Sequence, residues 1–270
     1  MTRVRAAIVP AAGLGTRLHP LTLGVAKELL PLGGHPALGA TLLEAAAANV
    51  FELAVVVSPK KEGVRRFLEG FAFARRFQLH VVEQPEPAGV LDAVEHGLRA
   101  LGAAPDAVAV LFPDLLHLPD QTALARLVAA HEQVDKALFG LRFAAPEDLA
   151  TPTAAVRLVE ELDPHAAPPD RPLRIAAVVR ATGAAGELLT TFGQIQTAAM
   201  GQAIEACCRR PGGALLDDGG LLEALNGLAA NGELYGLLLP GAVLDLGTLP
   251  GYLDASRRFL SGAAHLRELP

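Results

Sequence analysis

The sequence predicts an α/β protein: a three-layer α/β/α arrangement around a mixed, mostly parallel central sheet. Three observations carry this. Short apolar runs of strand length alternate with amphipathic segments of helical length through the first half. Glu52–Ser58 and Asp106–Phe112 are continuously apolar enough for strands buried on both faces. Hydrophobic residues make up 51% of the 270 residues, enough for a large core.

Taken in order, Arg5–Pro10 reads as the first strand and 37–50 as a helix. A strand over 52–58, an amphipathic helix over 60–77 and a strand over 78–83 follow. A helix over 88–101, a strand over 106–112 and a helix over 120–133 complete the first half. The second half is less regular. Strands are expected at 136–144, 154–160, 173–180, 233–239 and 242–246, and helices at 184–192, 195–209, 219–230 and 249–261. The Pro-rich stretch 163–172 reads as a loop. With no internal repeat or low-complexity linker, the chain reads as one domain, 1–270. Residues 1–135 form its regular half, and 136–270 its less regular half.

The formal net charge is −6 and no dense Lys/Arg run occurs, so a nucleic-acid partner is not expected. No apolar stretch reaches membrane-spanning length and no signal peptide is recognisable, so a cytoplasmic protein with no membrane partner is expected. The adjacent cysteines Cys207 and Cys208 have neither disulfide nor metal-ligand spacing. Of 23 basic residues only Lys27, Lys60, Lys61 and Lys136 are lysines. A lysine kept against such an arginine bias is worth following.

The most informative segment is Val9–Leu38. A buried strand runs directly into Ala11-Ala12-Gly13-Leu14-Gly15-Thr16-Arg17, where glycines let backbone N–H groups approach an anion. Arg17 adds a bidentate cation suited to a polyphosphate. The dinucleotide-binding pattern fails because Leu18 stands where a third glycine is required, and the strand at 52–58 ends in Ser58-Pro59 without an acidic residue. The Gly-Lys-Ser/Thr of a P-loop is absent. A Gly-x-Gly after a strand is by itself often only a turn. Here it is followed by Pro20-x-Thr22, by Lys27-Glu28-Leu29-Leu30-Pro31 and by Pro36.

On these residues the chain resembles the sugar-1-phosphate nucleotidyltransferases, closest to the bacterial UTP–glucose-1-phosphate uridylyltransferases. The resemblance continues at Gln84-Pro-Glu-Pro-Ala-Gly89, similar to the family's nucleobase-reading stretch, at Leu111-Phe-Pro-Asp114, and at 232–260 with Asp245 in Leu-Asp-Leu-Gly-Thr. It implies a Rossmann-like nucleotidyltransferase fold, with 1–135 as the nucleotide-binding half and 136–270 as the sugar-binding and C-terminal half. It also implies transfer of a nucleotidyl group from a nucleoside triphosphate, UTP favoured, to a sugar 1-phosphate, glucose 1-phosphate favoured. Thymidylyl transfer stays open, as does homo-oligomerisation, which is common in the family. Carried over residue by residue, Arg17 and Lys27 are catalytic. Ala11, Ala12, Gly13, Gly15, Thr16, Gln84 and Gly89 bind the nucleotide, and Glu160 binds the sugar. Asp114 and Asp245 hold Mg²⁺, a hard cation that takes one or two carboxylates with phosphate oxygens and water. His19, His35 and His117 are read as solvent or packing residues.

Four departures stand out. Ala26 replaces the proline before the lysine. Leu91 replaces a small glycine beneath the nucleobase. Thr153-Ala154-Ala155-Val156 replaces Tyr-Gly-Val-Val. Glu161 stands where a lysine would grip the sugar phosphate, which leaves Arg157, Arg171, Arg174 and Arg180 as substitutes to choose among. The sequence therefore supports two readings: an active transferase with an altered sugar pocket, or a non-catalytic relative that binds a nucleotide or nucleotide-sugar for regulation or assembly.

Overall fold

A computed structural model describes residues 3–86, 88–102, 105–118, 122–144, 154–163, 171–182, 184, 186–208 and 218–261. The first half alternates as expected: β1 (Ala6–Ala11), α1 (Ala37–Ala47), β4 (Glu52–Val57), α2 (Glu62–Gly70), β5 (Gln78–Glu83), α3 (Val90–Ala100), β6 (Ala107–Leu111) and α4 (Ala123–Val134). Two short strands, β2 (Pro31–Leu32) and β3 (His35–Pro36), form a small hairpin, and β7 (Leu115–Leu118) follows β6. The second half adds β8 (Ala137–Phe143), β9 (Ala154–Leu158), β10 (Leu173–Arg180), β11 (Leu188–Thr197), α5 (Ala198–Cys208), α6 (Asp218–Ala230), β12 (Leu234–Leu238), β13 (Ala242–Asp245) and α7 (Leu249–Leu260).

The central sheet has nine strands in the order β5-β4-β1-β6-β11-β8-β12-β10-β9. β1, β4, β5 and β6 are mutually parallel, and β12 is parallel to β8. Only β10 and β11 run against the other strands, so the sheet is mixed but mostly of one direction. β9 also pairs with β11, which closes the second half of the sheet on itself.

Period-two alternation explains the layers. Ala7, Val9 and Ala11 of β1 pack with Leu53, Val55 and Val57 of β4 against α1, α2 and α4. Ala6 and Ile8 pack with Ala54 and Val56 on the opposite face, against α3. α5 and α6 cover Phe139, Leu141, Leu173 and Ile175. The first of these cores also holds Leu138, Ile195 and Leu237, so strands from both halves share it.

Three sequence expectations change. Over 188–192 the helix expected at 184–192 is instead the start of β11, because Thr190, Thr191 and Ile195 belong to a central strand between β6 and β8. The helix expected from 195 therefore begins at Ala198. The helix expected over 60–77 ends at Gly70, and a 3-10 turn over Ala72–Arg76 follows. Most of the Pro-rich loop, 164–170, lies outside the described residues, as do Thr153 and Pro87. His117 is buried on β7, consistent with a packing residue. Among the described residues, neither Cys207 nor Cys208 forms a disulfide. Among the described residues no helix is long and apolar enough to cross a membrane.

Gly97 shows how closely α3 sits on β1. A Cβ there would lie 2.5 Å from Ile8 Cγ2 and 3.0 Å from Ile8 Cγ1, and Ile8 is fully buried. Gly97→Ala gains about 1 kcal/mol of helix propensity but overpacks the contact. The expected net loss is about 1 kcal/mol, rising to about 3 kcal/mol for Gly97→Val, as read from denaturant midpoints.

Candidate active site

The carboxyl edge of the parallel strands gathers most, but not all, of the residues singled out from the sequence. β1 ends at Ala11, beside Val57 of β4. The chain then turns through Gly13 and Gly15 into a 3-10 turn, Thr16–Leu18. Gly15 has φ +69°, a left-handed conformation that glycine adopts without strain. Its carbonyl accepts a 2.7 Å hydrogen bond from Thr22 Oγ1, which fixes the loop. A second 3-10 turn, Lys27–Leu29, brings Lys27 over the loop. The Lys27 Nζ lies 3.9 Å from where a Cβ on Gly13 would be.

Asp114 and Asp245 are distant in sequence, and a two-stranded ribbon joins them. β7 pairs antiparallel with β13, with Asp245 opposite Leu115. The Leu246 N–H donates to the Asp114 carbonyl at 2.7 Å. Leu116, Leu118, Leu244 and Leu246 anchor the ribbon in a core shared with Leu32 and with Ala255 of α7. The Thr248 hydroxyl caps α7 by accepting from the Gly251 N–H, and Pro250 sits in its first turn.

Four charged side chains converge on this ribbon. Lys27 Nζ donates to Asp114 Oδ2 at 2.5 Å. A Cβ on Gly247 would lie 2.9 Å from Asp245 Oδ1, 3.0 Å from Arg17 Nη2 and 3.1 Å from Asp114 Oδ2. Gly247 thus keeps open the point where two carboxylates and a guanidinium meet, and its N–H donates to Asp245 Oδ1 at 2.7 Å. Burial pushes the Asp245 carboxyl above the ordinary aspartate range. Its neighbour Asp114 adds to that push, while the Gly247 N–H, Arg17 and Lys27 oppose it. Among the described residues no three His, Cys, Asp or Glu side chains form a metal cluster. Two carboxylates that approach each other where Gly247 carries no side chain are ligands of the kind Mg²⁺ takes, with water and phosphate oxygens in its remaining positions.

Gln84 lies on the same edge. The Gln84 N–H donates to the Val57 carbonyl, one strand from Ala11. Its side-chain Nε2 donates to the Gly89 carbonyl at 3.1 Å and to Asp92 Oδ2 at 2.6 Å. Gln84 and Gly89 are therefore held together. Leu91 packs partly buried against the core of the second half.

Glu160 and the arginines of β9 and β10 are arranged differently. Glu160 follows β9 and forms an exposed ion pair with Arg171, at 2.5 and 2.9 Å. Arg174 lies against Gly232, where a Cβ would come within 3.1 Å of its Nη2. Arg157 and Arg180 line a cavity of about 370 Å³ with Thr182 and Glu187. None of these arginines has a contact that ties it to Lys27 or Asp114.

Sequence reasoning missed Gly247, Glu28 and Lys61. The Leu-Gly-Thr after Asp245 pointed to the first, and the scarcity of lysine pointed to the last.

A glycine-rich loop at a strand's carboxyl end, with two aspartates flanked by a lysine and an arginine beside it, is an arrangement chemically suited to phosphate groups. Comparison identifies the class: the nucleotidyl transferase family model matches residues 6–151, and the chain belongs to that family. A UTP–glucose-1-phosphate uridylyltransferase from Mycoplasma pneumoniae is 32% identical over 162 residues, 53% of this chain and 55% of that protein. The chain thus matches only about half the length of such curated relatives. Among solved structures, a UTP-bound UDP-glucose pyrophosphorylase from Acinetobacter baumannii superposes with TM-score 0.77 at 21% identity, covering 95% of this chain and 93% of that one. A UDP-glucose pyrophosphorylase complexed with UDP-glucose gives TM-score 0.78 at 19% identity, covering 96% and 99%. The fold is the Rossmann-like fold of these enzymes.

Proposed function

We propose that this protein transfers a nucleotidyl group from a nucleoside triphosphate, UTP favoured, to a sugar 1-phosphate, glucose 1-phosphate favoured. A phosphate oxygen of the sugar 1-phosphate bonds to the α-phosphorus, the bond from that phosphorus to the α–β bridging oxygen breaks, and pyrophosphate leaves. The observation that carries this reading is the convergence of Arg17, Lys27, Asp114 and Asp245 around Gly247, next to a glycine-rich anion loop.

Bringing two anions together is the main obstacle to this reaction, so alignment and charge neutralisation supply most of the catalysis. The backbone donors of Ala12 to Gly15 cradle the triphosphate. Arg17 holds the departing pyrophosphate, and Lys27 relieves repulsion at the α-phosphate. Asp114 and Asp245 would hold Mg²⁺, which when bound neutralises phosphate charge. Gln84 and Gly89 present the base-reading edge.

The non-catalytic alternative draws on one observation, the exposed pairing of Glu160 with Arg171 on the sugar side. Pyrophosphate release separates the two. Purified protein with Mg²⁺ is tested against UTP, dTTP, CTP, ATP and GTP, each with glucose 1-phosphate and several other sugar 1-phosphates. Turnover that requires one base and a sugar phosphate is expected. Nucleotide binding without turnover in any pairing would establish the binding-only reading.

A further inference from the structure

Beneath the phosphate loop lies a buried ion pair that the roles above leave unused. Lys61 precedes α2 and is only 7% exposed; Glu28 is 1% exposed. The Lys61 Nζ donates to Glu28 Oε2 at 2.7 Å, to Glu28 Oε1 at 2.8 Å and to the Ala11 carbonyl at 2.8 Å. Burial pushes the Glu28 carboxyl up and the Lys61 ammonium down, and each partner's charge opposes the other's shift.

Both acceptors lead to the candidate active site. Ala11 is the last residue of β1. A trans peptide is planar, so its C=O and the following N–H point in opposite directions. Holding the Ala11 carbonyl on Lys61 therefore turns the Ala12 N–H away from the buried pair and sets how the chain enters Gly13–Gly15. Glu28 adjoins Lys27, whose ammonium sits on Asp114. A single nitrogen thus joins the anion loop to the turn that carries Lys27.

Stability alone is a poor account of this pair. Buried ion pairs lose much of their attraction to desolvation, and replacing both partners with apolar residues of similar size is often neutral or better.

We propose that Lys61 is a positioning residue for nucleotidyl transfer: through Ala11 and Glu28 it sets the Ala12–Gly15 backbone donors against the Lys27 ammonium, without touching substrate. This rests on the function proposed above.

The test compares wild type, Lys61→Met and the double variant Lys61→Met/Glu28→Leu. The readouts are thermal unfolding, steady-state pyrophosphate release, and the amide resonances of Ala12, Gly13 and Gly15 on adding Mg-UTP. The single variant is expected to lose both stability and turnover. The double variant is expected to regain most of the stability, yet keep kcat about 100-fold below wild type with altered amide responses, as a small misplacement of catalytic groups costs about that much. A double variant that regains stability, turnover and the wild-type amide responses would overturn the proposal, because the pair would then serve the fold alone. If the double variant does not fold, Lys61→Arg replaces it. Its planar fork cannot direct three bonds from one nitrogen, so kcat should fall at least about 10-fold, and full activity would count against positioning. Wild type that shows the amide responses but no turnover would refute the transferase reading and leave the amide comparison to decide the role of Lys61. Wild type with neither would overturn both.

Discussion

Asp114→Asn is expected to lower kcat on the order of 1,000-fold while the protein still binds its nucleoside triphosphate. Asparagine has nearly the same shape, so the ribbon formed by β7 and β13 is kept, including the bond from the Leu246 N–H to the residue-114 carbonyl. What changes is charge. Lys27 loses the carboxylate that it meets at 2.5 Å, and the proposed Mg²⁺ site loses one of its two acidic ligands. Arg17 and Lys27 remain and now face less negative charge, so attraction for a polyphosphate is not weakened. Binding and chemistry should therefore separate, with KM for the nucleotide changing far less than kcat. Steady-state pyrophosphate release with a titration of nucleotide binding measures both. Turnover within about tenfold of wild type would remove Asp114 from the catalytic machinery.

That aspartate also shows what the sequence could and could not reveal. Val9–Leu38 was legible because its glycines, Arg17 and Lys27 lie on one continuous stretch, where spacing alone constrains geometry. The layers were legible too, since the alternation in β1 and β4 dictates which residues face which helices. The pairing of Asp114 with Asp245 depends on β7, a four-residue strand in a ribbon outside the main sheet. Leu115-Leu-His-Leu118 is too short to carry a periodic signal. The stretch 188–197 was misread because strand identity there is imposed by its neighbours β6 and β8. The Glu28–Lys61 pair was invisible for a related reason: an exposed lysine and a buried one look alike until the fold brings a carboxylate to them. On the proposed sugar side, the arginines that could replace the missing lysine sit on β9 and β10 or next to them. Their sequence positions gave no way to see that Arg171 is committed to Glu160.

Gly247→Ala puts the proposed site to a purely steric test, with an expected loss of a few hundred-fold in kcat/KM. The substitution alters no charge. Gly247 is not among the residues with positive φ, so alanine fits the backbone there without left-handed strain, and its N–H can still donate to Asp245. The added methyl, however, would lie 2.9 Å from Asp245 Oδ1, 3.0 Å from Arg17 Nη2 and 3.1 Å from Asp114 Oδ2. These distances are shorter than a carbon comfortably accepts, so the three groups must move apart or the methyl must occupy the space between them. Either outcome removes room for a cation between the carboxylates. Where the groups move apart, Arg17, proposed to hold the pyrophosphate, is displaced as well. Because the strain falls on partly solvated polar groups, the expected stability cost is small, about 1 kcal/mol. Unfolding midpoints, Mg²⁺ affinity and pyrophosphate release should be measured together. A stable variant with weakened Mg²⁺ binding and little turnover would locate the metal between Asp114 and Asp245. Undiminished turnover would mean that these groups can separate freely, and that the metal is held somewhere other than the space Gly247 keeps open.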